Sequence, residues 1–201
     1  IMLFVRLLHR TVGLAEVHVT GGEPLERRGI IPFVEMLAGA GIEDLAMTTN
    51  GQHLGRFAGE LKRAGLRRIN ISLHGLTPGS FRELTGGGEL SRTLEGIDAA
   101  LAAGLTPVKL NTTVVRGAND GQIADIAQLA LSRGIEARFI ELMPLGPAAG
   151  RHAELFVSSE EVLLRLRQRF QLRPLARRPG SSSTRYQVVG PQGTTGVVGV
   201  I

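Results

Sequence analysis

Residues 15–24 read AEVHVTGGEP, in which polar Glu16, His18 and Thr20 alternate with Val17 and Val19 before a glycine pair, a carboxylate and a proline. A period of two marks a strand, and glycines directly after it let backbone approach a ligand with no Cβ in the way. The pattern recurs outward from this stretch. Residues 43–48 end in Thr48, and 67–73 set Asn70 and Ser72 against Ile69, Ile71 and Leu73. Further on, 106–114 set Lys109, Asn111 and Thr113 against Val108, Leu110 and Val114, and 135–142 carry Arg138. Helical periodicity fills the intervals at about 30–39, 53–64, 91–103 and 120–132, with Gly65, Gly104 and Gly134 placed to stop three of these helices. Strand starts recur every 24 to 39 residues, long enough for right-handed crossovers and hence a parallel sheet. The sequence therefore reads as α/β, either a doubly wound sheet or a (βα) barrel.

Parallel strands covered on both faces read as continuous Val, Ile and Leu, so a polar residue at every second position needs a reason. An open, solvated sheet face is one. A barrel or partial barrel whose interior takes a polar ligand is the sharper one, with His18, Lys109 and Arg138 pointing inward and calling for negative charge on the ligand.

Residues 1–12 read as a helix entered without a cap, and GVVGVI at 196–201 stops within an extended run, so both ends read as cut. Residues 1–150 are expected to hold the repeats and 151–201 a smaller α+β extension. In the latter, SSEE at 158–161 opens a helix to about Phe170, RRPGSSS at 177–183 is a linker or hairpin tip, and two β-like runs flank the turn GPQG at 190–193.

Composition narrows the class. There is no cysteine, which excludes a disulfide scaffold and any thiolate-held metal or cluster made by these residues alone; no metal ligands are assigned. No apolar run approaches a membrane span, and no signal-peptide pattern is present, so a soluble, cytoplasmic setting is the expectation. Net charge is +5, and residues 151–185 alone hold eight Arg against Glu154, Glu160 and Glu161. Without an aromatic series that stretch does not read as a nucleic-acid surface. His9, His53 and His152 lack ligand spacing, Met2, Met36 and Met47 read as core filling, and Arg27 and Arg28 as solvated or salt-bridged.

Taken as chemistry, TGGEP offers backbone and the Glu23 carboxylate to an amino group, though a plain βα turn has the same composition. It is followed at successive strand ends by Thr48-Thr49-Asn50-Gly51, Asn70-Ile71-Ser72-Leu73-His74, Lys109-Leu110-Asn111 and Arg138-Phe139-Ile140-Glu141-Leu142-Met143. The series GGEPL, TTNG, GLRRINISL, KLNTTVVRGAND and RFIELMPLG resembles the radical S-adenosylmethionine enzymes and, within them, the GTP 3′,8-cyclases of molybdenum cofactor biosynthesis. The resemblance runs over essentially the whole chain. It implies a partial (βα)6 barrel truncated at both ends, S-adenosylmethionine cleaved to a 5′-deoxyadenosyl radical, two 4Fe-4S clusters, and GTP as substrate. It further implies an electron donor, a downstream cyclic pyranopterin monophosphate synthase, and no nucleic-acid or membrane partner; it leaves a homodimer open.

By position, the resemblance gives Gly22, Ser72 and Met143 to S-adenosylmethionine, with Gly21 and Glu23 as further candidates. It gives Thr48 and Lys109 to the substrate, with His18, Asn111 and Arg138 as further candidates. The chain departs from the family where both cluster-binding cysteine sets are missing, where His18 replaces the usual Arg, and where His74 stands for a frequent Asp. Another radical S-adenosylmethionine enzyme, such as a peptide-modifying one, and a non-catalytic nucleotide-binding remnant are the alternatives.

Overall fold

The computed structural model describes residues 1–177, 180, 182–191 and 193–201. The chain packs as two compact units, Ile1–Ser72 with Ser91–Val108, and Leu73–Leu90 with Lys109–Ile201. This partition runs along other lines than the expected 1–150 and 151–201 segments.

The first unit carries three parallel strands, β1 (Glu16–Val19), β2 (Asp44–Thr49) and β3 (Arg68–Ser72), in that order. Helices α1 (Met2–Val12), α2 (Ile30–Ala38), α3 (Leu54–Arg63) and α5 (Leu90–Ala102) accompany them, whereas α4 (Pro78–Thr85) belongs to the second unit. Leu45, Met47, Ile69 and Ile71 from the strands and Val34, Leu61 and Ile97 from the helices are fully buried. Removing each such side chain from water contributes about 1.5–3 kcal/mol, which fixes the strand faces. At the N-terminal ends of the strands, Arg68 bonds Asp44 at 2.8 Å and also pairs with Glu16. One guanidinium thus spans all three strands. Helix α1 buries Val5 but leaves Leu3, Phe4 and Leu7 exposed. Met36 corrects an expectation: α2 buries Ile30, Val34 and Leu37, and Met36 falls on the outer side, 47% exposed.

In the second unit β4 (Val108–Thr113, of which Val108 lies in the first unit) runs parallel to β5 (Glu136–Ile140). Beyond β5 come β8 (Thr195–Val200), parallel to it, then β7 (Thr184–Val189) and β6 (Gln171–Pro174), both antiparallel to their neighbours. The terminal strands therefore do not stand apart as a separate extension, because β8 takes up the free edge of β5. Helix α6 (Ile123–Ser132) packs against β5, β8 and α8 (Ser159–Arg167), and α4 (Pro78–Thr85) and α7 (His152–Leu155) are shorter. Ser158 caps α8 by accepting from Glu161 N, as the SSEE pattern predicts, but the helix stops at Arg167 and β6 follows. Helix α4 was not expected, although Thr77 caps it and Pro78 sits in its first turn. The expected linker at 177–183 and the GPQG turn fall partly outside the described residues.

Among the described residues, four of the eight arginines in the Arg-rich stretch have carboxylate partners. Arg165 pairs with Asp120 and Glu161, Arg169 with Asp125, Arg185 with Glu136 and Arg151 with Glu154. Arg116, followed by Arg165, holds the half-buried Glu161 carboxyl down at about 2.

Candidate functional site

In the first unit the GGEP turn is tied to the end of the neighbouring strand. Glu23 Oε1 accepts from Thr49 Oγ1 at 2.7 Å and Leu25 N at 3.0 Å, and Oε2 accepts from Asn50 N at 2.7 Å. The carboxylate read as a partner for an amino group is thus already occupied by three donors, and its part is to position the loop. The network continues inward. Asn50 O accepts from Thr93 Oγ1 at 3.0 Å, and Thr93 Oγ1 accepts from Gln52 Nε2 at 2.7 Å. Thr93 is fully buried on α5, and Gly96 one turn later faces Gly51 so closely that a Cβ would lie 2.6 Å from Gly51 O.

Gly21 and Gly22, by contrast, are exposed, with φ of 93° and 45° and open space where a Cβ would stand. That conformation favours glycine, and it leaves bare backbone presented outward. Of the other first-unit candidates, His18 Nε2 and Thr48 Oγ1 bond each other at 2.7 Å, and Ser72 is half-buried at the end of β3. His18, read as calling for negative charge on a ligand, thus has a partner within the protein, the Thr48 hydroxyl.

In the second unit the alternation in β4 is confirmed: Lys109, Asn111 and Thr113 are half-buried, whereas Val108, Leu110 and Thr112 are buried. Strand β5 alternates likewise, with Ala137 and Phe139 buried and Glu136, Arg138 and Ile140 half-buried. Arg138 Nε donates to Glu136 Oε1 at 2.8 Å. Of the cations read as calling for a ligand's negative charge, Arg138 therefore already has a carboxylate of the protein beside it, supplied two residues earlier in the same strand. Asn111 differs: its Oδ1 is buried and has no partner. Met143 is 63% exposed, and Glu141 accepts from Ser159 N at 2.6 Å, at the start of α8.

An open cleft of about 700 Å³ lies in this unit, lined by His74, Glu83, Thr113, Val115, Leu142 and Leu145 among others. Its floor is fixed by buried polar bonds. Asn119 Nδ2 donates to His74 O and Thr113 O at 2.7 and 2.8 Å, while its Oδ1 accepts from Val115 N. His74 Nδ1 accepts from Thr113 N at 3.3 Å, which leaves the ring proton on Nε2. Burial holds the His74 imidazole below its usual range and so favours this neutral form.

The radical SAM superfamily profile matches residues 2–130. The chain belongs to the radical SAM superfamily. Among curated relatives of this radical SAM chain, it is 44% identical over 191 residues to a GTP 3′,8-cyclase of Alkaliphilus oremlandii (strain OhILAs) and 46% identical over 192 residues to one of Heliobacterium modesticaldum (strain ATCC 51547 / Ice1). Each alignment takes in 94% of this chain and 59% of the relative, so the chain spans somewhat over half the length of the relatives it matches. Among solved structures it resembles coproporphyrinogen III oxidase from Escherichia coli, with a TM-score of 0.62, 12% identity, and coverage of 90% of this chain and 48% of the other. A domain of pyruvate-formate lyase-activating enzyme from Bacteroides vulgatus ATCC 8482 gives 0.59 at 17% identity, covering 76% and 90%. At such identities these likenesses show the fold alone.

No helix of the described residues is long and apolar enough to cross a membrane. Sequence reasoning passed over Thr93 and Asn119, whose roles depend on contacts distant in sequence. It also passed over Glu136, which the period of two could have placed beside Arg138.

Proposed function

We propose that this radical SAM chain serves the GTP 3′,8-cyclase reaction, binding S-adenosylmethionine through Gly22, Ser72 and Met143 and the GTP substrate through Thr48, Lys109 and Arg138. The observation that carries the reading is the polar face of β4 and β5, where Lys109, Asn111 and Arg138 are gathered in a chain 44–46% identical to two GTP 3′,8-cyclases. The buried, partnerless Asn111 Oδ1 supports a ligand there, since native interiors seldom leave such an atom unbonded.

For S-adenosylmethionine the fit is favourable: Gly21 and Gly22 present backbone to open space, and Glu23, bonded to Thr49 and Asn50, keeps the turn in that shape. Bound S-adenosylmethionine supplies the deoxyadenosyl group that would take a ribose hydrogen. For iron–sulfur clusters the fit fails within these 201 residues, which include no cysteine; no step through a cluster is derived from them. The residues present bind and orient. Lys109 places an ammonium, and Arg138 a guanidinium steadied by Glu136, where a triphosphate can meet both. An electron donor, a synthase that takes the cyclised product, and a cytoplasmic setting follow from the same reading.

Calorimetric titration with GTP tests it. Lys109→Ala removes a charge-assisted contact of about 1.5–3 kcal/mol, so affinity is expected to fall roughly tenfold to a hundredfold. Arg167→Ala, on the exposed side of α8, is expected to leave it unchanged. Equal losses in the two variants would place GTP elsewhere.

A further inference from the structure

One transverse row crosses four strands of the second unit. Asn111 on β4 lies beside Arg138 on β5, Arg138 beside Gly199 on β8, and Gly199 beside Arg185 on β7. Register partners project to the same face of a sheet, so Asn111, Arg138 and Arg185 share one. Two residues back along the strands, Lys109 lies beside Glu136, and the period of two puts both on that face as well.

Glu136 answers both guanidiniums, with Oε1 at 2.8 Å from Arg138 Nε and Oε2 at 3.4 Å from Arg185 Nη2. All three side chains are largely buried: 11% exposed for Glu136, 13% for Arg185 and 16% for Arg138. The contact to Arg185 is long for a hydrogen bond, and Arg185 Nε is buried with no partner. Gly199, between the two arginines in the row, has no side chain to intervene; a Cβ there would run into Ser183 Oγ and lie in ordinary contact with Arg138 Cγ at 3.5 Å.

The two unanswered atoms stand at the two ends of this row, and they ask for opposite things. Arg185 Nε needs an acceptor, and a buried guanidinium favours an anionic one. Asn111 Oδ1 needs a donor. A ribonucleoside polyphosphate carries both, anionic oxygens at one end and sugar hydroxyls or base N–H groups at the other.

We propose that Arg185 is a third cation, beside Lys109 and Arg138, of a polyphosphate-binding row in the second unit, and that Asn111 Oδ1 receives a hydrogen bond from the attached nucleoside. This rests on the function proposed above and extends it to a strand in which the positional resemblance assigns no site residue. Glu136 is a positioning residue: it holds both guanidiniums over the row and competes with phosphate oxygens for them. That competition gives the proposal a sign that a purely structural ion cluster lacks.

The test titrates the 201-residue chain with inorganic tripolyphosphate, GTP and ATP. Arg185→Gln is expected to weaken both tripolyphosphate and GTP about tenfold or more, with Arg185→Lys recovering part of the loss. Glu136→Gln is expected to tighten tripolyphosphate severalfold, whereas Asn111→Leu should weaken GTP and leave tripolyphosphate unchanged. Thermal melting followed by circular dichroism checks that each variant folds; should Arg185→Gln not fold, Arg185→Lys and Glu136→Gln carry the decision. The proposal is overturned if the parent chain binds neither tripolyphosphate nor GTP, if the Arg185 variants bind as the parent does, or if Glu136→Gln fails to tighten tripolyphosphate. Arg185-dependent binding of tripolyphosphate without preference for GTP over ATP would leave the row standing and overturn the cyclase reading.

Discussion

Replacing Glu23 with alanine strips three donors of their acceptor at once. Thr49 Oγ1 and Asn50 N lose bonds of 2.7 Å, and Leu25 N loses one of 3.0 Å. Hydrogen bonds to a charged group contribute about 1.5–3 kcal/mol each. The loop is half-buried, so water can answer part of the loss, and only the two short bonds are counted at the lower end. That gives about 3 kcal/mol for Glu23→Ala. In a chain of this size each kcal/mol lowers the melting temperature by about 2–4 °C, so a fall of about 6–12 °C is expected. Glu23→Gln keeps one carbonyl oxygen and turns an amino group toward a remaining donor, so it is expected to lose somewhat less. Thr49→Val removes a single bond and should lose about half as much as Glu23→Ala. Urea denaturation of the three variants measures these differences. A loss below about 0.5 kcal/mol for Glu23→Ala would show that the carboxylate does not fasten the turn to β2, and the positioning role would be wrong.

Gly96→Ala should gain about 1 kcal/mol from helix propensity. It should nonetheless destabilise by about 1–3 kcal/mol, because the added Cβ meets Gly51 O at 2.6 Å and Leu54 Cβ at 3.1 Å, and neither is the tip of a flexible side chain; a melting temperature equal to or above the parent's refutes the packing argument. For His74 the folded-state value lies below the ordinary 6.5 because of burial, so the unfolded chain takes up the proton first. Stability is then full above about pH 6.5 and declines as pH falls from there toward the folded value. Urea midpoints at about pH 7.5 and 5.5 should accordingly separate more in the parent than in His74→Gln, and an equal separation would show that the ring is not held neutral.

The strands and principal helices were legible because burial imposes period: Lys109, Asn111 and Thr113 alternate with Val108, Leu110 and Thr112 in the structure much as the sequence implies. Strand-end motifs were legible for the same reason, since each closes a strand whose direction is set by its crossover. Contacts between distant residues were not. Nothing local in AEVHVTGGEP says that Glu23 meets Thr49 and Asn50 rather than a ligand, a match made across 26 and 27 residues. The pairing of β8 with β5 joins runs even further apart, and a GVV run reads alike whether it forms a separate hairpin or completes an existing edge. Met36 shows the limit within one helix: α2 is so apolar all round that composition could not say which side faces outward.

The Arg138–Glu136 pair lies wholly within β5, whereas the strand that covers its edge, β8, lies about sixty residues later in the sequence. On a ribosome adding roughly 5–20 residues per second, that separation is a wait of about 3–12 s. During it the backbone donors and acceptors on that side of β5, with Ala137 and Phe139 nearby, have no neighbour, and open edges of this kind recruit other chains. Charged side chains on an edge discourage such recruitment, and these two emerge together with the strand they flank. The guanidinium and carboxylate of this pair would therefore already serve as a guard on the nascent chain, so that neutralising both should show first as poor yield in expression, before any defect in the finished protein can be measured.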